Sequence, residues 1–305
     1  MLIVICGPTG TGKSEVAIEL AGLIGGEVVS ADSMMVYRGM DVGTAKPTAE
    51  QRAAVPHHLI DLVEPTDDYH VARYQREARA AVDEVLARGR QPLLVGGTGY
   101  YIQAVVDEIE YPPVAPRRDD LRAELSAFAQ RSGTGALHAR LAALDAAAAA
   151  RIHPNNVQRV VRALEIVLQT GRPIAPNRVP GATDSRYTLR IFGLTHARER
   201  LFARLDERVD AMLAAGFVSE LRALRARGVT AAHQSQQALG YRQLHPVLDG
   251  QSTLDEAVAA WKRGTRQFAR RQWTWFRGDA RVTWLDRDEF ASRRAVAEEI
   301  AQRVG

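Results

Sequence analysis

The chain has 305 residues, 46% of them hydrophobic and 25% charged, with a formal net charge of +4; this allows one large globular domain or a core with a smaller appendage. Its single cysteine, Cys6, excludes a disulfide framework and a cysteine-rich zinc module, which fits a reducing cytoplasm. No apolar run reaches membrane-spanning length and no basic segment precedes the first apolar run, so neither a membrane partner nor a secretion signal is expected.

The first apolar run, 2–6, is expected to be a buried strand with Cys6 as a small packing residue. Residues 7–14 follow as GPTGTGKS, a G-x-x-x-x-G-K-S phosphate loop, and 15–23 repeat apolar positions at helical spacing. Strand before and helix after are the context such a loop needs. Gly7, Gly10 and Gly12, with Pro8, Thr9 and Thr11 between them, let successive N–H groups turn inward around a phosphate. Lys13 is placed for the outer phosphate oxygens and Ser14 for Mg²⁺, the expected cofactor, while the helix N-terminus adds partial positive charge. The chain is therefore expected to hold a pyrophosphate group.

A second strand, 27–30, leads to Asp32. Side chains just past strand ends of an open α/β sheet face the ligand crevice, so Asp32 is expected beside the phosphate loop. There it serves Mg²⁺ through water, takes a proton, or caps the next element. A third strand, 58–61, and a helix, 71–88, come next; His57 and His58 have no partner at zinc spacing. The fourth strand, 92–96, runs into GGTGYY, without the Asp or Glu that nucleotide-hydrolysing loops place there, which argues against ATP hydrolysis. Thr98 supplies a small hydroxyl or is a plain turn residue.

From about 115 to 185 the strand signal vanishes and Arg- and Ala-rich segments keep helical spacing, including the alanines 146–150. Pro112, Pro113 and Pro116 mark the start of this stretch; Pro173, Pro176 and Pro180 mark its end. Gln158, Arg159 and Arg162 form a polar edge there. A fifth strand, 189–194, precedes a helix, 198–227, on which Arg204 and Arg208 share a face, either solvated or reaching the crevice. Residues 261–281 interleave cations with aromatics, and Arg270, Arg271 and Arg277 with Trp273, Trp275 and Phe276 suit a nucleic-acid backbone and its bases. A last strand falls at 282–285. The pattern predicts an α/β fold: a P-loop NTPase-like core with a mostly parallel sheet, 1–114 and 186–305, plus an inserted all-helical subdomain, 115–185.

Seven segments together carry a family resemblance. They are GPTGTGKS (7–14), ADSMMVYRGMDVGTAKPT (31–48), VPHHLIDLVEP (55–65), LLVGGTGYY (93–101), RIHPNNVQRVVRALEI (151–166), ALGYRQL (238–244) and TRQFARRQWTWFRG (265–278). In this order, through nearly the whole chain, they resemble the tRNA dimethylallyltransferase (tRNA isopentenyltransferase) family of bacterial type. The resemblance implies transfer of a dimethylallyl group from dimethylallyl diphosphate to N6 of the adenine at tRNA position 37, by a cytoplasmic enzyme expected as a monomer. It implies Asp32 as general base, Thr98 beside the reacting centre, and Lys13 and Arg208, with Mg²⁺ on Ser14, as charge stabilisers for the departing diphosphate. The adenine must leave its stack to react.

Contacts to the tRNA anticodon stem-loop are implied for Asp32, Ser33, Met34, Met35, Thr98 and Arg122, and for Gln158, Arg159, Val160, Val161 and Arg162. They are further implied for Gln237, Gly240, Tyr241 and Arg242, and for Arg270, Arg271, Gln272, Trp273 and Arg277. The helical insertion is expected to clasp that stem-loop. Met35, Asn156 and Gln237 depart from the residues frequent in relatives, all outside the proposed chemistry. Competing readings are a small-molecule P-loop kinase, a prenyltransferase acting on free adenine nucleotides, and a non-catalytic RNA-binding protein.

Overall fold

Five consecutive apolar residues, Leu2–Cys6, form β1, and all five are buried because both faces of the sheet are covered. Their side chains alternate between two cores. Ile3 and Ile5 pack with Val16, Ala17 and Leu20 of α1 (Lys13–Ile24), whereas Leu2, Val4 and Cys6 join the core on the opposite face. Burial pushes the Cys6 thiol up to about 12, the behaviour of an inert packing residue.

The computed structural model describes residues 1–109, 111, 118–173 and 184–305. After α1 come β2 (Gly26–Ser30), α2 (Ala49–Ala54), β3 (His57–His58), α3 (Val71–Ala87), β4 (Gln91–Val95) and α4 (Gly99–Val106). The chain divides into two compact units, Met1–Ile109 with Pro180–Gly305, and Glu110–Val179. Four helices make up the described part of the latter: α5 (Asp119–Ser132), α6 (Thr134–Leu144), α7 (Ala146–Arg151) and α8 (Val157–Thr170). They have their own core around Leu125, Leu137, Leu141, Val160 and Leu164. The first unit resumes with β5 (Leu189–Thr195), α9 (Arg198–Ala214), α10 (Phe217–Ala226), α11 (Tyr241–Leu248), α12 (Leu254–Arg277), β6 (Val282–Asp286) and α13 (Arg293–Val304).

The strand order is β3-β2-β4-β1-β5-β6, and every pairing is parallel. From β1 the connections run one way towards β2–β4 and the other way to β5 and β6. A crevice therefore opens beyond the carboxyl ends of the central strands, where such sheets bind ligands.

Two expectations are corrected. The strand expected at 58–61 stops at His58, because Leu59 and Asp61 take left-handed backbone, φ 63° and 58°. Asp61 is held in that turn by Lys46 at 2.5 Å and Arg52 at 2.7 Å. The helix expected over 198–227 is two helices, broken where Gly216 adopts φ 94°. The marker residues Pro112, Pro113, Pro116, Pro176 and Pro180 lie outside the described residues. Asp107 and Ser185 pair as an antiparallel bridge, which ties 184–185 to the sheet-bearing unit.

Candidate functional site

The phosphate loop closes on itself before it meets any ligand. The Thr11 hydroxyl donates to Pro8 O at 2.9 Å, and Lys13 Nζ donates to the same oxygen at 2.7 Å. Gly7 has φ 128°, and a Cβ there would stand 2.4 Å from Leu194 O, so β5 passes too close for any side chain. Thr9, Gly10, Gly12, Lys13 and Ser14 border the cleft, while Gly7, Pro8 and the fully buried Thr11 shape the loop behind it. The Thr9 N–H is engaged by Gln272 Oε1 at 2.9 Å, so Thr9 turns that donor away from a phosphate.

Asp32, just past β2, borders the same cleft, as do Gly96 and Gly97 past β4. Its Oδ1 accepts the Met34 N–H at 2.8 Å, which orients the carboxylate and fixes a turn. Thr98 stands one step outside. Its hydroxyl accepts the Ser33 N–H at 3.2 Å and donates to Ser33 Oγ at 3.4 Å, locking the turn after β2 to the turn after β4.

Two cations enter from different elements. Lys13 heads α1 and Arg208 projects from α9 into the cleft. Burial, reinforced by Arg208, pushes the Lys13 ammonium down to about 8, and burial likewise lowers Arg208. Arg204, one turn earlier, reaches Gly10 O at 3.3 Å, so the i, i+4 pair both address the phosphate loop. A site that penalises its own cations is built for an anion.

Below about 8 Lys13 carries its charge in the free protein; above it the proton must be taken up on binding. The contribution of Lys13 to diphosphate affinity should therefore be constant well below pH 8 and weaken towards tenfold per unit above it, superimposed on the titration of diphosphate itself. Calorimetric titration from pH 6.5 to 9.5 checks this, and a flat profile would take Lys13 out of the binding step.

For Mg²⁺ the test is donor chemistry. The cleft is bordered by the Ser14 hydroxyl and the Glu15 and Asp32 carboxylates, hard oxygens of the kind Mg²⁺ accepts. Among the described residues no group of three or more His, Cys, Asp or Glu could hold a metal by itself. The site therefore fits an ion that completes its shell with water and phosphate oxygens rather than one caged by protein. His57 and His58 are otherwise engaged, with Val55 O at 2.7 Å and Glu27 at 2.8 Å.

The residues expected to face RNA separate into exposed and buried sets. Arg270, Arg271 and Arg277 are exposed on α12, lying over the rings of Phe202, Phe268 and Trp273. Gln237 and Arg242 are also exposed, and Ser33 and Met34 are partly so. Met35 is buried at the cleft wall. Gln272 is buried and holds two loops, and Gly240 is buried under Phe217 and Trp261. The Tyr241 ring packs edge-on against Phe217 and its hydroxyl donates to Glu220 at 2.6 Å. Gly240 and Tyr241 are thus packed against apolar neighbours, whereas Met35 and Gln272 border the cleft itself.

Within the helical unit, Gln158 and Arg159 are exposed. Val160 and Val161 are core residues of α8. Arg122 and Arg162 both grip the buried Glu165, Arg122 at 2.8 Å, which holds their guanidiniums at the surface of the helix pair.

One clamp was not foreseen. Lys46, its side chain 1% exposed, donates to Tyr37 O at 2.6 Å, Asp41 at 2.7 Å and Asp61 at 2.5 Å. Glu220 accepts the N–H groups of Asp41, Val42 and Gly43 at 2.6–3.2 Å. Together they press the 41–47 loop against the cleft, which Pro47 borders. The signal was present as the DVGTAKP run, but a loop lysine reads as solvated until its partners are placed around it.

Comparison with known proteins gives the site a lineage. The family model described as "IPP transferase" matches residues 35–279, and "Isopentenyl transferase" matches 1–60. The tRNA dimethylallyltransferase of Symbiobacterium thermophilum is 47% identical over 99% of this chain and 94% of its own length. That of Desulforudis audaxviator is 48% identical over 99% and 97%. The crystal structure of the tRNA isopentenylpyrophosphate transferase of Bacillus halodurans superposes with TM-score 0.71, at 43% identity, covering 99% of this chain and 96% of that one. A eukaryotic dimethylallyltransferase described as acting on tRNA superposes with TM-score 0.77, at 29% identity, covering 99% and 79%. Nothing in these matches favours a small-molecule kinase. With the phosphate loop, the Asp32 turn and the arginine-bearing α12 all inside the matched span, the chain belongs to the IPP transferase family.

Proposed function

We propose that this chain transfers a dimethylallyl group from dimethylallyl diphosphate to N6 of the adenine at position 37 of tRNA, releasing diphosphate. The observation that carries the reading is the meeting of Asp32 with two half-buried cations, Lys13 and Arg208, in one cleft at the carboxyl ends of the sheet. In the reaction the allylic C1–O bond breaks as the N6–C1 bond forms. The bonding electrons leave with the diphosphate, and the amine proton passes to Asp32. Partial positive charge on C1 and growing negative charge on the leaving oxygen make Lys13 and Arg208 the main contributors. Because N6 is a poor nucleophile, positioning matters more than base strength.

Mg²⁺, held by the Ser14 hydroxyl together with diphosphate oxygens, would add further charge neutralisation when bound. Thr98 acts through the Ser33 turn it locks. The anticodon stem-loop lies along the exposed arginines of α12. No helix among the described residues is long and apolar enough to cross a membrane; a cytoplasmic monomer is the proposed state.

The direct test offers labelled dimethylallyl diphosphate with an anticodon stem-loop carrying adenine 37, with AMP, and with no acceptor, each with and without Mg²⁺. Label on the stem-loop alone is expected; label on AMP would redirect the proposal to free nucleotides. Replacing Arg270, Arg271 and Arg277 together by alanine should weaken stem-loop binding. The slope of log affinity against log salt should also flatten by about 0.7 for each phosphate no longer bound. A slope equal to that of the parent would put the RNA on another face.

A further inference from the structure

Gln272 lies on the buried side of α12 and is 7% exposed, whereas its neighbours Arg270 and Arg271 point to solvent. Its Oε1 accepts the Thr9 N–H at 2.9 Å and its Nε2 donates to Gly97 O at 2.8 Å. One side chain therefore spans the phosphate loop after β1 and the turn after β4 that presents Thr98. Both partners are main-chain groups, Thr9 partly buried at the cleft edge and Gly97 buried, and an unmet buried donor or acceptor is costly. The bridge needs a donor and an acceptor on one planar group, which among side chains of this length only glutamine supplies; glutamate lacks the donor and lysine the acceptor. Gly97 is shaped to the same contact, since a Cβ there would stand 2.3 Å from Gln272 Nε2.

We infer that Gln272 is a positioning residue that presets the phosphate loop against the Thr98 turn, so that the diphosphate meets a finished cradle. The bridge also fastens the inner side of α12, whose outer side carries the arginines, to the chemistry below it. Gln272 borders the cleft, and in this role it acts through Thr9 and Gly97. The transfer readout of this inference rests on the function proposed above, and the diphosphate readout does not.

The test is Gln272→Met in the full chain, close in length but unable to bridge. Affinity for inorganic diphosphate with Mg²⁺ present should fall about tenfold, since both hydrogen bonds of the bridge are lost and the loop must be ordered by the ligand itself. Affinity for the stem-loop should stay unchanged, so KM for the prenyl diphosphate rises while that for RNA does not. A folded variant with unaltered diphosphate affinity, or one that loses stem-loop affinity instead, would overturn the inference. If the variant does not fold, amide exchange in the unsubstituted chain decides: the Thr9 N–H should be protected without ligand, and exchange at open-loop rates would overturn the bridge. Absence of transfer by the unsubstituted chain to any RNA would sink the proposed function and leave the diphosphate comparison standing.

Discussion

Replacing Asp32 by asparagine should lower the single-turnover rate of prenyl transfer by about 10²–10⁴-fold, the range a positioned general base supplies. Stem-loop affinity should stay within about twofold of the parent, since the substitution removes no phosphate-binding group. The structure makes asparagine the informative substitution. Asp32 Oδ1 accepts the Met34 N–H at 2.8 Å, and an asparagine Oδ1 can do the same. The turn bearing Ser33 and Met34, which Thr98 also holds through the Ser33 N–H, therefore survives. Alanine would remove base and turn together, and its loss of activity would not separate chemistry from shape. What asparagine lacks is the basic oxygen that takes the N6 proton. Transfer at the parental rate by Asp32→Asn would remove Asp32 from the chemistry.

Arg208→Gln should slow the same step by about 10²–10³-fold, the scale of losing one preorganised transition-state donor. Its second signature is opposite in sign. In the free protein Arg208 is half-buried, and it is the main charged group depressing Lys13. Glutamine relieves that repulsion, so the ligand-free variant should unfold at no lower temperature than the parent while its stabilisation by diphosphate shrinks. The Lys13 ammonium should then move up from about 8, carrying the pH dependence of diphosphate binding to higher pH. Thermal unfolding with and without diphosphate, beside single-turnover kinetics, reads both effects. An unchanged rate would leave Arg208 as a wall of the cleft.

The phosphate loop was legible because its function lies in backbone geometry, which glycine spacing announces. The strand at 2–6 was legible because a strand buried on both faces reads as an unbroken apolar run. Arg208 was half legible: its i, i+4 partner Arg204 placed both on one face, but only α9 lying over the loop distinguishes a cleft residue from a solvated one. The burial of Val160, Val161, Tyr241 and Gln272 was not legible because they sit in segments whose neighbours face outward. In a helix, adjacent residues point about a hundred degrees apart, so membership of a motif does not tell which side of it a residue occupies. The strand expected at 58–61 failed for another reason. Its composition suits a strand, but the charge on Asp61 finds Lys46 and Arg52 only by leaving the sheet.

By itself, then, the sequence determined what recurs at short range: the order of strands and helices, the phosphate loop with Lys13 and Ser14, the acidic turn at Asp32 and the basic, aromatic character of α12. These depend on local spacing, which the chain carries whether folded or not. Only the tertiary structure decided what long-range approach creates: Arg208 beside Lys13, Lys46 and Glu220 fastening the 41–47 loop, and Gln272 joining Thr9 and Gly97, 263 and 175 residues before it. A bridge such as that of Gln272, or the repulsion Arg208 exerts on Lys13, exists only where distant segments meet, and no pattern along one segment records its partner.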